Sequence, residues 1–501
     1  MNTRRRLSLL LSVLLFALLA TPVGAHGPRQ AVPFGRFPAT ISLDLETTMS
    51  DDDDLPLSEY DGLAPNEVWQ EAIKLDSLRD RYDGDEVVVA VLDTGVASVP
   101  DLEERVVLRV DFTPGRDGLD RFGHGTHMAG IVAGDGTASG GGRLGGAPGA
   151  EIVSLKVAGP DGSTDTSVVI AALQWLASHA DEHDVRVLNL SFGTDSRQSV
   201  LIDPLNRAIQ RVWDAGILVV VSAGNAGPSD GTVRKPGDDP VALTVGAADL
   251  SGTADASDDR VAEFSSRGPT ADSADKPDLV APGISIVSLR APESAVDLLR
   301  PAARLDDHYF KGTGTSQAAA IVSGVAALLF EADPTLTPEE VRAALIGTSG
   351  GPLATHSGGG AGLLNAEAAL EAVLASSFDG ATRVVERSDG LGSLDSSRGS
   401  SRVYADPDGD GAAQEIVGEW DVLGSAWVAQ AWSAQAWSEA SWELSPWSAL
   451  VEVSHSWVAQ AWSAQAWSGS VWEAQAWSAR EWGSADWVAQ AWSAQAWSTW
   501  D

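Results

Sequence analysis

Between Asn66 and Leu374 the chain alternates short, wholly apolar runs with longer runs of helical period. Glu86 to Asp93 (EVVVAVLD) is apolar until it ends in an acid and a turn, the pattern of a strand buried on both faces. Glu151–Val157, Val185–Phe192, Ile217–Ser222 and Val241–Ala247 read the same way. Helices are expected over Thr166–Ala180, Pro204–Ala215, Gln317–Phe330 and Pro338–Ile346, with another opening at Gly123 and running through Val132. Alternation of this kind predicts an α/β fold: a doubly wound, mostly parallel sheet with a C-terminal repeat extension.

The two ends break the pattern. Arg4-Arg5-Arg6 precedes an apolar run from Leu7 to Ala20 and then Val23-Gly24-Ala25, which reads as a secretory signal over 1–25. The chain is therefore expected to be secreted or extracellular. No later stretch reads as long and apolar enough to span a bilayer. Residues 26–60 are polar, pass through Asp51-Asp-Asp-Asp54, and read as a pro-segment or linker. The α/β unit is expected over 61–375, an acidic Gly/Ser-rich linker over 376–418 and a tryptophan-repeat tail over 419–501.

In that tail 16 of the 19 tryptophans fall between Trp420 and Trp500, most of them five residues apart. On a helix this period rotates the ring by about 140° per step. On a strand an odd period alternates faces. Neither builds one apolar face; a short-coil solenoid would, and a sticky extension is the alternative. Exposed rows of tryptophan mark contact sites, so association with a cell envelope or an insoluble polymer is expected, with the chain before Gly380 independent of the tail.

Composition narrows the partners. Seventy acidic residues against 33 basic give a formal net charge of −37, and only five of the basic residues are lysines. Nucleic acid is excluded as a partner on that balance. Cysteine is absent, so the fold relies on its core and on any bound ions rather than on disulfides.

Candidate chemistry lies at three places. Gly312-Thr313-Gly314-Thr315-Ser316 delivers a serine into an apolar helix, among unpaired N–H groups at the positive end of the dipole. An oxyanion formed by acyl transfer would be stabilised there. Asp93 ends a buried strand, where open α/β sheets place their sites, and His124 opens a helix. A hydroxyl needs a general base, and the base a group that fixes its tautomer; Ser316, His124 and Asp93 supply one of each. An aspartic-protease reading of Asp93-Thr94-Gly95 lacks a second such carboxylate. A zinc reading of His124 and His127 lacks a third ligand, which leaves His127 as a packed neighbour.

These motifs, with Leu144–Val157, Val187-Leu-Asn-Leu-Ser-Phe-Gly193, Val219-Val-Val-Ser-Ala-Gly-Asn225, Phe264–Pro269 and Lys276–Gly283, resemble the subtilase family of serine endopeptidases from about Asn66 to Leu374. The resemblance implies a secreted peptidase acting on protein or peptide substrates, with Ser316 as nucleophile, His124 as base, Asp93 as its orienting acid and Asn225 as an oxyanion donor. Ser191, Phe192 and Gly193 would form one side of the substrate cleft, and Ala223 and Gly224 part of the floor beneath the scissile residue. No cofactor is implied for the chemistry, while structural calcium is. Asp101 stands in a Pro-Asp-Leu string where the family places a ligand, and Asp406, Asp408 and Asp410 have calcium-loop spacing, although Val417 stands at the twelfth position. The run Ser316-Gln317-Ala318-Ala319-Ala320 departs from the family's usual Met and Pro after the serine. The rival reading is an inactive protease-like scaffold that binds surfaces through its tail; the intact Asp93, His124, Asn225 and Ser316 speak against it.

Overall fold

The computed structural model describes residues 65–113, 115–378, 385–405, 413–434 and 437–455. The expected signal and pro-segment, the tail beyond 455, and Asp406, Asp408 and Asp410 lie outside the described residues. The core is a nine-stranded sheet. Its first strands are β1 (Val88–Asp93), β2 (Val106–Asp111), β3 (Glu151–Lys156), β4 (Val185–Leu190), β5 (Leu218–Ser222), β6 (Leu243–Asp249), β7 (Arg260–Val261) and β8 (Leu279–Pro282). Strands β2, β3, β1, β4, β5 and β6 lie side by side in that order and pair in parallel; β7 and β8 both join β6. Every residue of β1 and β5 is buried, as continuous apolar runs demand in a sheet covered on both faces.

Strand β1 sits between β3 and β4, so the strand order reverses there. Such a switch point opens a crevice at the carboxyl ends of the strands, and Asp93 is the last residue of β1. The helices are α1 (Pro65–Ala72), α2 (His124–Ala133), α3 (Thr166–His179), α4 (Pro204–Asp214), α5 (Thr315–Ala332), α6 (Pro338–Thr348) and α7 (Ala366–Leu374). Their starts are written in the sequence. The Asp165 side chain caps α3, Asp203 caps α4 ahead of Pro204, and Thr337 with Glu340 forms a reciprocal capping box on α6.

Helix α5 runs unbroken for 18 residues, so the missing proline lets its hydrogen-bond ladder continue through Ala320. By length and mean hydropathy (1.4) it is apolar enough to cross a membrane, contrary to the sequence expectation. It is instead 89% buried, packed on α2 and across β4, β5, β6 and β8, the place of a core helix. Strands β9 (Ile286–Leu289) and β10 (Tyr309–Gly312) form a separate antiparallel ribbon that leads the chain into α5.

The described residues after 380 differ from the expected linker and separable tail. Arg398 is 1% exposed; it donates to Asp165 Oδ2 at 2.6 Å and Oδ1 at 3.2 Å, and to the carbonyls of Gly418 and Trp420. Ser397 Oγ donates to the α4 cap Asp203, and Thr194 Oγ1 donates to the Ser397 carbonyl. A small ribbon of β11 (Tyr404–Ala405) and β12 (Gln414–Glu415) follows. Beyond it α8 (Ala429–Ala434) and α9 (Glu439–Glu443) each last little more than one turn. The chain thus breaks its helix between rings, which lets a five-residue period keep returning indoles to the protein. Trp432, Trp442 and Trp447 are all buried, and Trp442 meets the rings of Phe112 and His179 edge-on. Finally β13 (Glu452–His455) pairs antiparallel with β2 and becomes one edge of the main sheet.

Removing Arg398 leaves the Asp165 carboxylate, 2% exposed, without its cation. Breaking a buried ion pair on one side costs about 3–5 kcal/mol. Arg398→Ala is therefore expected to lower unfolding free energy by that amount in urea titrations, with loss well under 1 kcal/mol refuting the role assigned to this strap.

Candidate active site

The turn after β1 sets the first part of the site. Thr94 N–H donates to Asp93 Oδ1 at 2.8 Å, and the carboxylate is 3% exposed. His124 is the first residue of α2, and its Nδ1 lies 2.8 Å and 2.9 Å from the two Asp93 oxygens. A side chain at Gly125 would overlap the Gly95 carbonyl, so a glycine is needed for α2 to approach this turn so closely.

The residue that fixes the approach is Asp120, which sequence reading missed. Its Oδ1 accepts from Thr94 Oγ1 at 2.8 Å and from the N–H groups of Phe122 and Gly123. Its Oδ2 accepts from Thr126 N–H and Oγ1 at 2.8 Å and 2.7 Å. Thr94 Oγ1 in turn accepts from Gly125 N–H at 2.9 Å. One buried acid thereby ties the end of β1 to the start of α2.

Electrostatics follow from burial and these acids. Burial pushes the His124 pKa down, but the adjacent Asp93 carboxylate, its hydrogen bond and the charge of Asp120 outweigh it, and the net shift is upward. His127, one turn on, is pushed down to about 3 by burial and by the neighbouring His124, and packs edge-on against Phe310. It is a neutral packing residue.

The second part forms where β5 ends and α5 begins. Asn225 Oδ1 accepts from Thr315 N–H and Thr315 Oγ1, each at 2.9 Å. Gly224 N–H donates to the same hydroxyl at 3.1 Å. Thr315, which the sequence reading did not single out, locks the Asn225 amide by its oxygen end and so fixes where its nitrogen points. Ser316, the second residue of α5, is 6% exposed, and no side chain caps that helix. Its N–H is among the orphan donors of the first turn. Gln317, the next residue, lines one cavity with His124, His127, Leu289 and Phe310. The structure thus joins Asp93 to His124 and Asn225 to the turn carrying Ser316, with α2 and α5 packed together between them.

The proposed cleft residues divide. Ser191 and Gly193 are half-buried, whereas the Phe192 ring belongs to the hydrophobic core, so any contribution it makes to a cleft wall is through its backbone. Ala223 is buried, with N–H donating to the Val245 carbonyl, and Gly224 is half-buried. Asp101 has partners within the fold. It is fully buried, with Oδ1 accepting from Ala138 N–H and Oδ2 from Tyr309 Oη, both at 2.7 Å. Its oxygens serve the fold, and no group of three His, Asp or Glu side chains among the described residues could hold a metal.

Residues 84–369 match the model of the subtilase family. The chain is 41% identical over 265 residues to serine protease AprX of Bacillus subtilis (strain 168), an alignment covering 52% of this chain and 60% of that one. It is 35% identical over 287 residues to M-protease of Shouchella clausii (strain KSM-K16), covering 57% and 64%. It is 34% identical over the same length to subtilisin Savinase of Lederbergia lenta, covering 57% and 91%. The chain thus spans somewhat under two thirds of the length of the first two relatives. With a family match across more than half of its residues, and an alignment that takes in nearly the whole of Savinase, the chain belongs to the subtilase family.

Proposed function

We propose that the chain is a secreted serine endopeptidase that hydrolyses peptide bonds through an acyl-enzyme. The observation that carries this reading is the buried contact of His124 Nδ1 with both Asp93 oxygens. It sets the tautomer with the proton on Nδ1 and leaves Nε2 as the basic nitrogen. Ser316 Oγ attacks the scissile carbonyl while His124 Nε2 takes its proton. The developing oxyanion is met by the N–H of Ser316 and by Asn225 Nδ2, whose oxygen end Thr315 holds. Asp93 stabilises the imidazolium, which protonates the leaving amine; water then hydrolyses the ester with His124 again as base. Substrate enters as an extended strand beside Ser191–Gly193 and Ala223–Gly224. The N-terminal signal supports secretion. The tryptophans from Trp457 onward are the part of the tail assigned to envelope or polymer contact.

Labelling by a fluorophosphonate tests the reading directly. The purified chain should react at Ser316, and Ser316→Ala should lose both labelling and all but a trace of amidase activity. An unlabelled wild-type protein would favour the inactive scaffold instead.

Asn225→Ala should lower kcat about 10²–10³-fold with KM little changed, the size of effect that losing one oxyanion donor has in subtilisin. A change confined to KM would make Asn225 a binding residue only.

His124 works as a base only when neutral. Its pKa is raised above the ordinary 6.5, so kcat/KM should fall as pH drops through a midpoint above 6.5. An acid limb centred below that value in the pH–rate profile would contradict the charge assignment.

A further inference from the structure

The strands assigned to the cleft are bridged by one segment, and its side chain is a cation. Arg234 N–H donates to the Ala223 carbonyl, and the next residue, Lys235, exchanges both backbone hydrogen bonds with Thr194. Arg234 therefore spans the gap between Gly193 on one wall and Gly224 on the other. A Cβ placed on Gly193 would come within 2.8 Å of Arg234 Cβ, and one on Gly224 would overlap Arg234 Cγ. Both glycines are thus in contact with the aliphatic stem of the arginine. Gly224 also has φ of +100°, a conformation that side-chain-bearing residues rarely adopt. It precedes Asn225, the oxyanion donor, and its N–H bonds Thr315 beside Ser316. The stem therefore lies one residue from the group that receives the scissile carbonyl.

The guanidinium is held in place. Its Nη1 is 3.6 Å from Asp195 Oδ2, a charge pair rather than a hydrogen bond, and the arginine side chain is 18% exposed. Asp195 is gripped from the other side by Ser400, through N–H at 2.6 Å and Oγ at 2.5 Å. Burial raises the Asp195 pKa, but the two Ser400 bonds and the arginine outweigh it, so the acid stays charged. The strap after residue 385 thereby reaches the cleft and orients its cation.

We propose that Arg234 selects the substrate, favouring a carboxylate side chain, glutamate or aspartate, on the acyl side of the scissile bond. This rests on the peptidase reading above. A substrate bound along Ser191–Gly193 and Ala223–Gly224 would bring the side chain of its scissile residue towards the arginine that both glycines touch. An apolar or cationic side chain there faces a guanidinium with nothing to offer it. A carboxylate meets an opposite charge whose position Asp195 helps to set.

The test is a set of peptide p-nitroanilides differing only in the residue before the amide: Glu, Gln, Leu and Ala. Glutamate against its neutral isostere glutamine isolates the charge. The full-length chain should show a Glu/Gln ratio of kcat/KM of roughly tenfold or more, as a charged hydrogen bond provides, and this ratio should shrink as salt is raised. Arg234→Gln should bring it to one or below, with Ser316 labelling by fluorophosphonate showing that the variant is folded. A wild-type ratio of one or less, or a preference for Leu or Ala over Glu, overturns the proposal while the peptidase reading stands. Failure to cleave any of the four peptides, with Ser316 unlabelled, overturns both.

Discussion

The site depends on holding a carboxyl group and an imidazole out of water at the carboxyl edge of the sheet. Asp93 and His124 come from elements 31 residues apart in the chain and must meet within hydrogen-bond distance while almost fully buried. Desolvation works against both, and only close pairing with further donors offsets it. Asp120 supplies the rigidity: its two oxygens gather Thr94 on one side and Gly123 and Thr126 on the other, so the turn after β1 and the first turn of α2 move as one body. Thr315 plays the same part for Asn225 at the start of α5. The groups expected to touch substrate are thus each positioned by a polar neighbour that does not.

Those neighbours also mark the limit of what could be read from the chain. Strands and helices were legible because buried parallel strands are continuously apolar and helix starts carry Asp, Thr or Pro; Val88–Asp93, Thr166–His179 and Pro204–Asp214 fall within two residues of expectation. Asp93 and His124 were expected at element ends and lie there, closing β1 and opening α2, whereas Asn225 was singled out only through the family resemblance. Asp120 and Thr315 were not, since an acid in a Gly/Asp-rich turn and a threonine before a serine look like ordinary loop residues until the partners converge. Asp101 was singled out by its sequence context alone, and that context gave no sign of the partners Ala138 and Tyr309 that the fold brings to it.

The region after residue 380 misled through composition. Glycine, serine and acidic residues suggested a linker, yet Arg398 is almost wholly enclosed and paired to the acid that caps α3. A single buried arginine cannot be told from a surface one by sequence. Among the described residues, the tryptophan-bearing helices α8 and α9 are each little more than one turn long, and Trp432, Trp442 and Trp447 are buried.

Strand β13 runs antiparallel to β2, with Glu452 opposite Asp111 and His455 opposite Leu108. From Glu452 to His455 the chain therefore runs away from the carboxyl ends of the parallel strands, along the outer side of β2. The sheet has thereby covered one of its open edges with its own chain, a place where a foreign strand could otherwise add.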